Sequence, residues 1–379
     1  MKFNTKTIHG GQSPDKAYGS VMPPIYQTST YAQTTPGGHK GYEYSRTHNP
    51  TRDALEKSFA SIENGHYGLA FGSGLAAIDA VIKLLKPGDE VISTNDLYGG
   101  TYRLFTKIFE KFQIKFHFTG MQDIQQIENC ISPKTKLIWV ETPTNPMLNI
   151  IDIKAVSALA KKHSVLLAVD NTFATPYLQR PLDLGADIVV YSGTKHIDGQ
   201  GRSLGGAILS TKKHYEEYLK PFIRHTGPTL SPFNAWVLLK GLETLQYRMD
   251  QHCHNTLKIA NYLFQHPKVE KTIYPDLKNH PQYALAKEQM LQGGSIVTFV
   301  IKGNNAFKFM NALNIFDISN NLGDTKSLVT HPATTTHRVI GEEARKKLNI
   351  PDTMIRLSIG LEDIDDLIED IENAFKQVK

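Results

Sequence analysis

The chain has 379 residues, 40% hydrophobic and 21% charged, a composition that describes a globular protein too long for one small core. A formal charge of +5 with no long basic run argues against nucleic acid as a partner, and no apolar stretch reaches transmembrane length. Two cysteines, Cys130 and Cys253, cannot build a disulfide framework, and the opening Met1-Lys-Phe-Asn-Thr-Lys6 lacks the apolar core of an export signal, so the expected location is the cytoplasm.

Residues 1 to about 45 are rich in Gly, Pro, Thr and Tyr and show little helical periodicity. The piece Met22-Pro-Pro-Ile-Tyr-Gln-Thr-Ser-Thr-Tyr31 reads as an extended arm, and such an arm stays ordered only by docking on something, which hints at an oligomer. From Thr51 the pattern alternates. A helix over Thr51–Glu63 precedes a strand over Tyr67–Phe71 and a helix over Gly74–Leu85. Strands follow at Glu90–Ser93, Lys115–Phe118, Leu137–Glu141, Val165–Val169 and Ile188–Tyr191, with helical segments between most of them. That rhythm predicts an α/β fold with a mostly parallel sheet covered by helices on both faces. Beyond about residue 240 it changes to a long amphipathic helix, Leu242–Phe264, strands near Val269–Ile273 and Ile296–Ile301, and a final helix, Ile364–Phe375. The expected organisation is an arm (1–50), a first domain (51–240) and a smaller C-terminal α+β domain (241–379).

Several strand ends carry polar groups where open α/β sheets keep their ligands. Phe71-Gly-Ser73-Gly74-Leu75-Ala-Ala77 joins a strand to a helix, and its backbone amides suit a phosphate. The same letters fit G-x-G-x-x-A with Asp96 downstream, so a dinucleotide site of Rossmann type is the rival reading. Tyr98, before Gly99 and Gly100, can lay its ring on a flat cofactor or simply pack beside a turn. Asn145, in Glu141-Thr-Pro-Thr-Asn145-Pro146, is a candidate donor to a substrate carboxylate or a turn cap. Asp170 ends the run Val165-Leu-Leu-Ala-Val-Asp170, where it can pair with a protonated pyridine nitrogen or cap the next helix. Ser192 and Thr194 flank Lys195 after Ile188-Val-Val-Tyr191, placing two phosphate-suited hydroxyls beside an amine able to form a Schiff base. Arg356 interrupts the apolar run Met354–Ile359, an unfavourable place for a charge unless an anion meets it. By contrast, His252-Cys253-His254 cannot share one metal ion, because adjacent helical positions diverge by about 100°. Together Asp170, Lys195 and their neighbours point to pyridoxal 5'-phosphate (PLP), which employs all of them, whereas a nucleotide leaves most idle. A non-catalytic binding protein is the remaining alternative.

Over essentially its whole length the chain resembles the PLP-dependent Cys/Met-metabolism (trans-sulfuration) enzymes. The resemblance rests on Tyr44-Ser-Arg-Thr-His-Asn-Pro-Thr-Arg52, Ser73-Gly-Leu-Ala-Ala77, Asp96-Leu-Tyr-Gly-Gly100, Glu141-Thr-Pro-Thr-Asn-Pro146, Val169-Asp-Asn-Thr-Phe173, Ser192-Gly-Thr-Lys195 and Ile355-Arg-Leu-Ser358. It implies the type I, aspartate aminotransferase-like fold, and it assigns roles. Lys195 would bind the cofactor aldehyde and move protons, Tyr98 would stack on the ring and assist, and Asp170 would hold the ring nitrogen. Ser73, Gly74, Leu75, Ser192 and Thr194 would hold the phosphate, with Tyr44 and Arg46 reaching it from a neighbouring subunit of a homotetramer. Arg356, Asn145 and Asn321 would bind a small amino-acid substrate. The first half is similar to cystathionine γ-synthases and γ-lyases. Ile197-Asp-Gly-Gln-Gly-Arg202 and the stretch from Asn321 to His337 are similar to O-succinylhomoserine sulfhydrylases. At Asn320-Asn-Leu-Gly-Asp324, γ-lyases carry Glu-Ser-Leu-Gly-Gly. The expected reaction is therefore γ-replacement on an O-acylhomoserine by sulfide or cysteine, with cystathionine β- or γ-elimination as the alternative.

Overall fold

A computed structural model describes residues 1–64 and 67–378. Seven strands form the first sheet: β1 (Tyr67–Phe71), β2 (Glu90–Thr94), β3 (Lys115–Thr119), β4 (Thr135–Glu141), β5 (Leu166–Asp170), β6 (Ile188–Ser192) and β7 (Gly206–Ser210). Their order is β1-β7-β6-β5-β4-β2-β3. Strands β2 to β6 run parallel, and β7 lies antiparallel to both its neighbours. Side chains alternate across the sheet as the two-residue period requires. Ile138, Val140, Leu167 and Val169 enter one core with helical Leu55, Phe59 and Val156. Leu137, Trp139, Ala168 and Val190 enter the core on the opposite face with Ala77, Ile78 and Val81. Apolar burial on both faces is what makes these strands read as continuous hydrophobic runs.

The second sheet has the order β10-β11-β12-β9-β8, from β8 (Val269–Ile273), β9 (Ile296–Ile301), β10 (Asp317–Ile318), β11 (Leu328–Thr330) and β12 (Met354–Ser358). Its core joins Val297, Phe299, Ile355 and Leu357 to Leu367, Ile371 and Phe375 of the helix Ile364–Lys376. Arg356 stands between two of these core residues, so the strand period turns it to the other face, toward the first sheet. The helix Leu245–Gln265 serves both cores: Leu245, Met249 and Cys253 pack with the first, Ile259, Ala260 and Leu263 with the second.

Three elements were not expected. Residues 22–31 carry no helix, but Phe3–His9, in the part with little helical periodicity, forms one whose Thr7 is fully buried and whose Phe3 packs on the first core. Strand β7, rich in Gly, Ala and Ser, was not expected; it is held by antiparallel pairing to β1 and β6 rather than by its own propensity. The long helix expected over Leu242–Phe264 is present as Leu245–Gln265, but a separate helix that was not expected, Pro232–Leu242, precedes it, with Ser231 capping it through a bond from Asn234 N. Within the second helix His252 and Cys253 are buried and His254 is exposed, and both cysteines are free.

Beneath the first sheet, Tyr191 donates its hydroxyl hydrogen to buried Glu63 and accepts a bond from Asn171 Nδ2 at 2.9 Å. The other Glu63 oxygen has no partner among the described residues, and burial raises the carboxyl to about 8 against the lowering effect of Tyr191. Folded protein thus keeps a proton that the unfolded chain releases above about 4.5, and stability falls as pH rises between these values. Glu63→Gln is expected to flatten that slope by an amount on the order of a few kcal/mol. Thermal melts of both proteins from pH 5 to 8.5 check it; parallel curves contradict the assignment.

Candidate active site

The carboxyl ends of β2, β4, β5 and β6 converge on a cavity of about 290 Å³. Its strand lining comes from β4, β5 and β6, and Tyr98 reaches it from the loop after β2, across the place where the sheet order reverses. Ser73, Gly74, Leu75, Tyr98, Asn145, Asp170, Ser192, Thr194, Lys195 and Arg356 all line it, so ten of the expected site residues meet in one place.

Each is positioned by local structure. Ser73 caps the helix Gly74–Ile82, accepting from Ala76 N, so the free amides of the first turn face the cavity. Thr194 Oγ1 accepts from Gly205 N at 3.1 Å, which ties its turn to the start of β7. Tyr98 N donates to Glu141 Oε2 at 2.9 Å across the β2/β4 gap. A β-carbon at Gly100 would collide with the Tyr98 ring, which explains the glycine at that position.

Lys195 Nζ donates to Asn321 Oδ1 at 2.5 Å. Arg356 Nη1 donates to Asn145 Oδ1 at 2.9 Å, and its Nη2 donates to Asn321 O at 3.1 Å and Thr330 Oγ1 at 3.2 Å. Its Nε is buried and, among the described residues, has no partner. Asn145 and Asn321, expected to hold substrate, are here bonded to the arginine and the lysine, and so orient those two cations. Tyr44 and Arg46 are not brought to the cavity. Arg46 Nη1 donates to Arg224 O at 2.5 Å, its guanidinium lies 5.5 Å from the Tyr44 ring centre, and Tyr44 is exposed.

Charge is divided across the site. Burial, and next the Arg356 charge, lower Lys195 to about 8. Burial also brings Arg356 down to about 10. On the floor, Asp170 and Glu141 end adjacent strands in register. Burial raises both carboxyls, Glu141 further because Asp170 repels its charge, although Thr172 N donates to Asp170 Oδ1 at 3.0 Å. Sequence reasoning passed over Glu141, Thr172 and Thr336 as lining residues. For Glu141 a signal existed, since it is an acid closing an apolar strand just as Asp170 does. Thr172 and Thr336 carried none, because their approach depends on loop geometry.

The set fits PLP. Desolvated Asp170 gains a counter-charge from a protonated pyridine nitrogen. The Ser73–Leu75 turn with Ser192 and Thr194 offers amides and hydroxyls to a phosphate, and Lys195 is an amine within the same cavity. Among the described residues no cluster of His, Cys, Asp and Glu could hold a metal ion, and no helix is long and apolar enough to cross a membrane.

Comparison with known proteins places these features in context. Residues 4–376 match the family described as "Cys/Met metabolism PLP-dependent enzyme". A cystathionine gamma-lyase of Bacillus subtilis is 45% identical over 379 residues, covering 100% of both chains. A cystathionine beta-lyase of Coxiella burnetii is 43% identical over 376 residues, 98% of this chain and 97% of its own. The crystal structure of cystathionine gamma-lyase from Lactobacillus plantarum complexed with L-serine superposes with a TM-score of 0.97 at 41% identity, covering 100% of this chain and 99% of that one.

Proposed function

The chain belongs to the Cys/Met-metabolism PLP-dependent (trans-sulfuration) enzymes, and from that premise we propose that it is a cystathionine lyase, cleaving a side-chain carbon–sulfur bond by elimination. It is a PLP enzyme of small amino-acid substrates; the finer reading rests on whole-length identity to proteins named cystathionine β- and γ-lyase. Those names favour elimination over the γ-replacement expected from the motifs after Lys195.

PLP, when bound, supplies an electron sink for charge developing at the substrate's α and β carbons. This chain's residues do the rest. The Arg356 fork receives the substrate carboxylate, its Nε being the unused buried donor. Asp170 holds the ring nitrogen, and the Ser73–Leu75 turn with Ser192 and Thr194 holds the phosphate. Lys195 Nζ takes the α proton and returns protons to neighbouring atoms, with a pKa near enough to neutrality to act in both directions. The Tyr98 hydroxyl assists at the leaving group. The assembly is a cytoplasmic homotetramer in which Tyr44 and Arg46, lying outside their own cavity, reach the phosphate of a neighbour.

One observation favours a second reading, γ-replacement on an O-acylhomoserine. Asn320 lines the cavity where γ-lyases carry glutamate, and the carboxylates among the described lining residues are Glu141 and Asp170 on the floor. A cystathionine substrate presents a distal ammonium and finds no carboxylate among the described residues of that wall, whereas an acyl ester has no distal ammonium to pair. The deciding assay supplies cystathionine, O-succinylhomoserine or O-acetylhomoserine, each with and without sulfide or cysteine. Elimination from cystathionine is expected to give ammonia with pyruvate and homocysteine (β) or with 2-oxobutyrate and cysteine (γ). Inert cystathionine, with homocysteine or cystathionine formed from an acylhomoserine and the added thiol or sulfide, would replace the first reading with the second.

A further inference from the structure

We infer that Arg248 is a positioning residue for Lys195: its guanidinium clamps the carbonyls of the turn that carries the lysine and so sets where Nζ stands in the cavity. Arg248 is buried, 6% exposed, on the helix Leu245–Gln265, which lies outside the cavity lining. Nη1 donates to His196 O at 2.6 Å. Nη2 donates to Gly241 O at 2.7 Å and to Ile197 O at 3.4 Å, while Nε donates to Thr244 Oγ1 at 3.1 Å. Among the described residues no carboxylate lies within ion-pair distance of it; the nearby Asp198 carboxylate is held by Arg202. A buried cation left without a counter-ion is costly unless it is hydrogen-bonded, and here three peptide oxygens and the Thr244 hydroxyl accept from it.

The turn needs that clamp because its backbone is short of internal partners. Gly199 N bonds Lys195 O at 2.8 Å and Asp198 N bonds Gly193 O at 2.9 Å, but the carbonyls of His196 and Ile197 point away from the turn to Arg248. Gly199 sits at φ +68, and a β-carbon there would overlap the guanidinium. The glycine and the arginine therefore occupy complementary space two residues beyond the Ile197 carbonyl. A lysine at 248 is a single point donor and cannot span carbonyls that a planar fork reaches at once.

This inference rests on Lys195 being the cofactor lysine, which peptide mapping of borohydride-reduced wild-type protein checks separately. Reduction mapping to another lysine would sink that assignment and this one with it. The test proper compares wild type, Arg248→Lys, Arg248→Met and, as a control, Lys268→Met. Lys268 Nζ also caps buried-end carbonyls, of Phe375 and Val378, but far from the cavity. Arg248→Lys, folded and with an intact melt, is expected to lose about tenfold or more in kcat, with KM changed less than about threefold. The pH midpoint of the loaded protein's visible absorbance is expected to move, and amide exchange over residues 193–199 of the cofactor-free protein to quicken. Lys268→Met should lower the melting temperature and leave all three unchanged. If Arg248→Met fails to fold, Arg248→Lys carries the comparison. Folded Arg248→Lys with wild-type kcat, absorbance midpoint and exchange would overturn the proposal.

Discussion

Lys195→Ala is expected to fold normally and lose about 10⁴-fold in turnover, the upper range for removing a positioned acid–base group. Lys195 is the one lysine among the described lining residues, so no second amine stands ready to replace it. Its Nζ is fixed by Asn321 at 2.5 Å, and burial with the Arg356 charge lowers it to about 8. At pH 7 about a tenth of it is therefore neutral, enough to accept a proton without a large energetic penalty. The measurement is turnover alongside cofactor content, with added methylamine as a chemical substitute. Substantial activity in a cofactor-bearing variant, without added amine, would remove Lys195 from its role.

Arg356→Ala should raise KM by roughly two to three orders of magnitude, or about 3–4 kcal/mol, within the range for truncating a buried hydrogen-bonded charge. The cage around Arg356 consists of amide, carbonyl and hydroxyl acceptors, and among the described residues no carboxylate pairs with it. The charge waits for an anion, and the partnerless Nε is a donor it can meet. Arg356→Lys should recover little, since a point charge cannot reproduce the fork. A second effect follows from sign alone. Arg356 helps to depress Lys195, so its removal lets the lysine rise, and the acid limb of the pH–rate profile should move to higher pH. Steady-state kinetics from pH 6 to 10 check both, and a wild-type KM would place Arg356 outside the substrate site.

Much of this site was legible in the sequence because it sits at strand ends. Asp170 and Ser192 end β5 and β6, and the apolar runs before them announced where the sheet stops. Arg356 was visible for the opposite reason, as a charge inside an apolar strand. What stayed hidden depends on tertiary approach. Strand β7 has little intrinsic preference and is made by its partners, while Thr336 reaches the cavity from the loop after the helical turn Pro332–Thr334. Asn145 and Asn321 were found, but their partners were not: the sequence marks a polar residue at a turn without saying that it will grip another protein side chain first. The reaction was the least legible. Replacement and elimination share the same lysine, arginine and aspartate and differ in the lining around Asn320, where a single amide changes the inference.

The helix Leu245–Gln265 has a consequence for the integrity of the whole. Severing the chain near residue 240 would strip Leu245, Met249 and Cys253 from one core and leave the other with half a helix facing water. Neither fragment would inherit a closed interior, so the two sheets should melt together in one cooperative transition. The same rod that joins their interiors also carries Arg248, so loosening either sheet would be felt at the turn bearing the lysine.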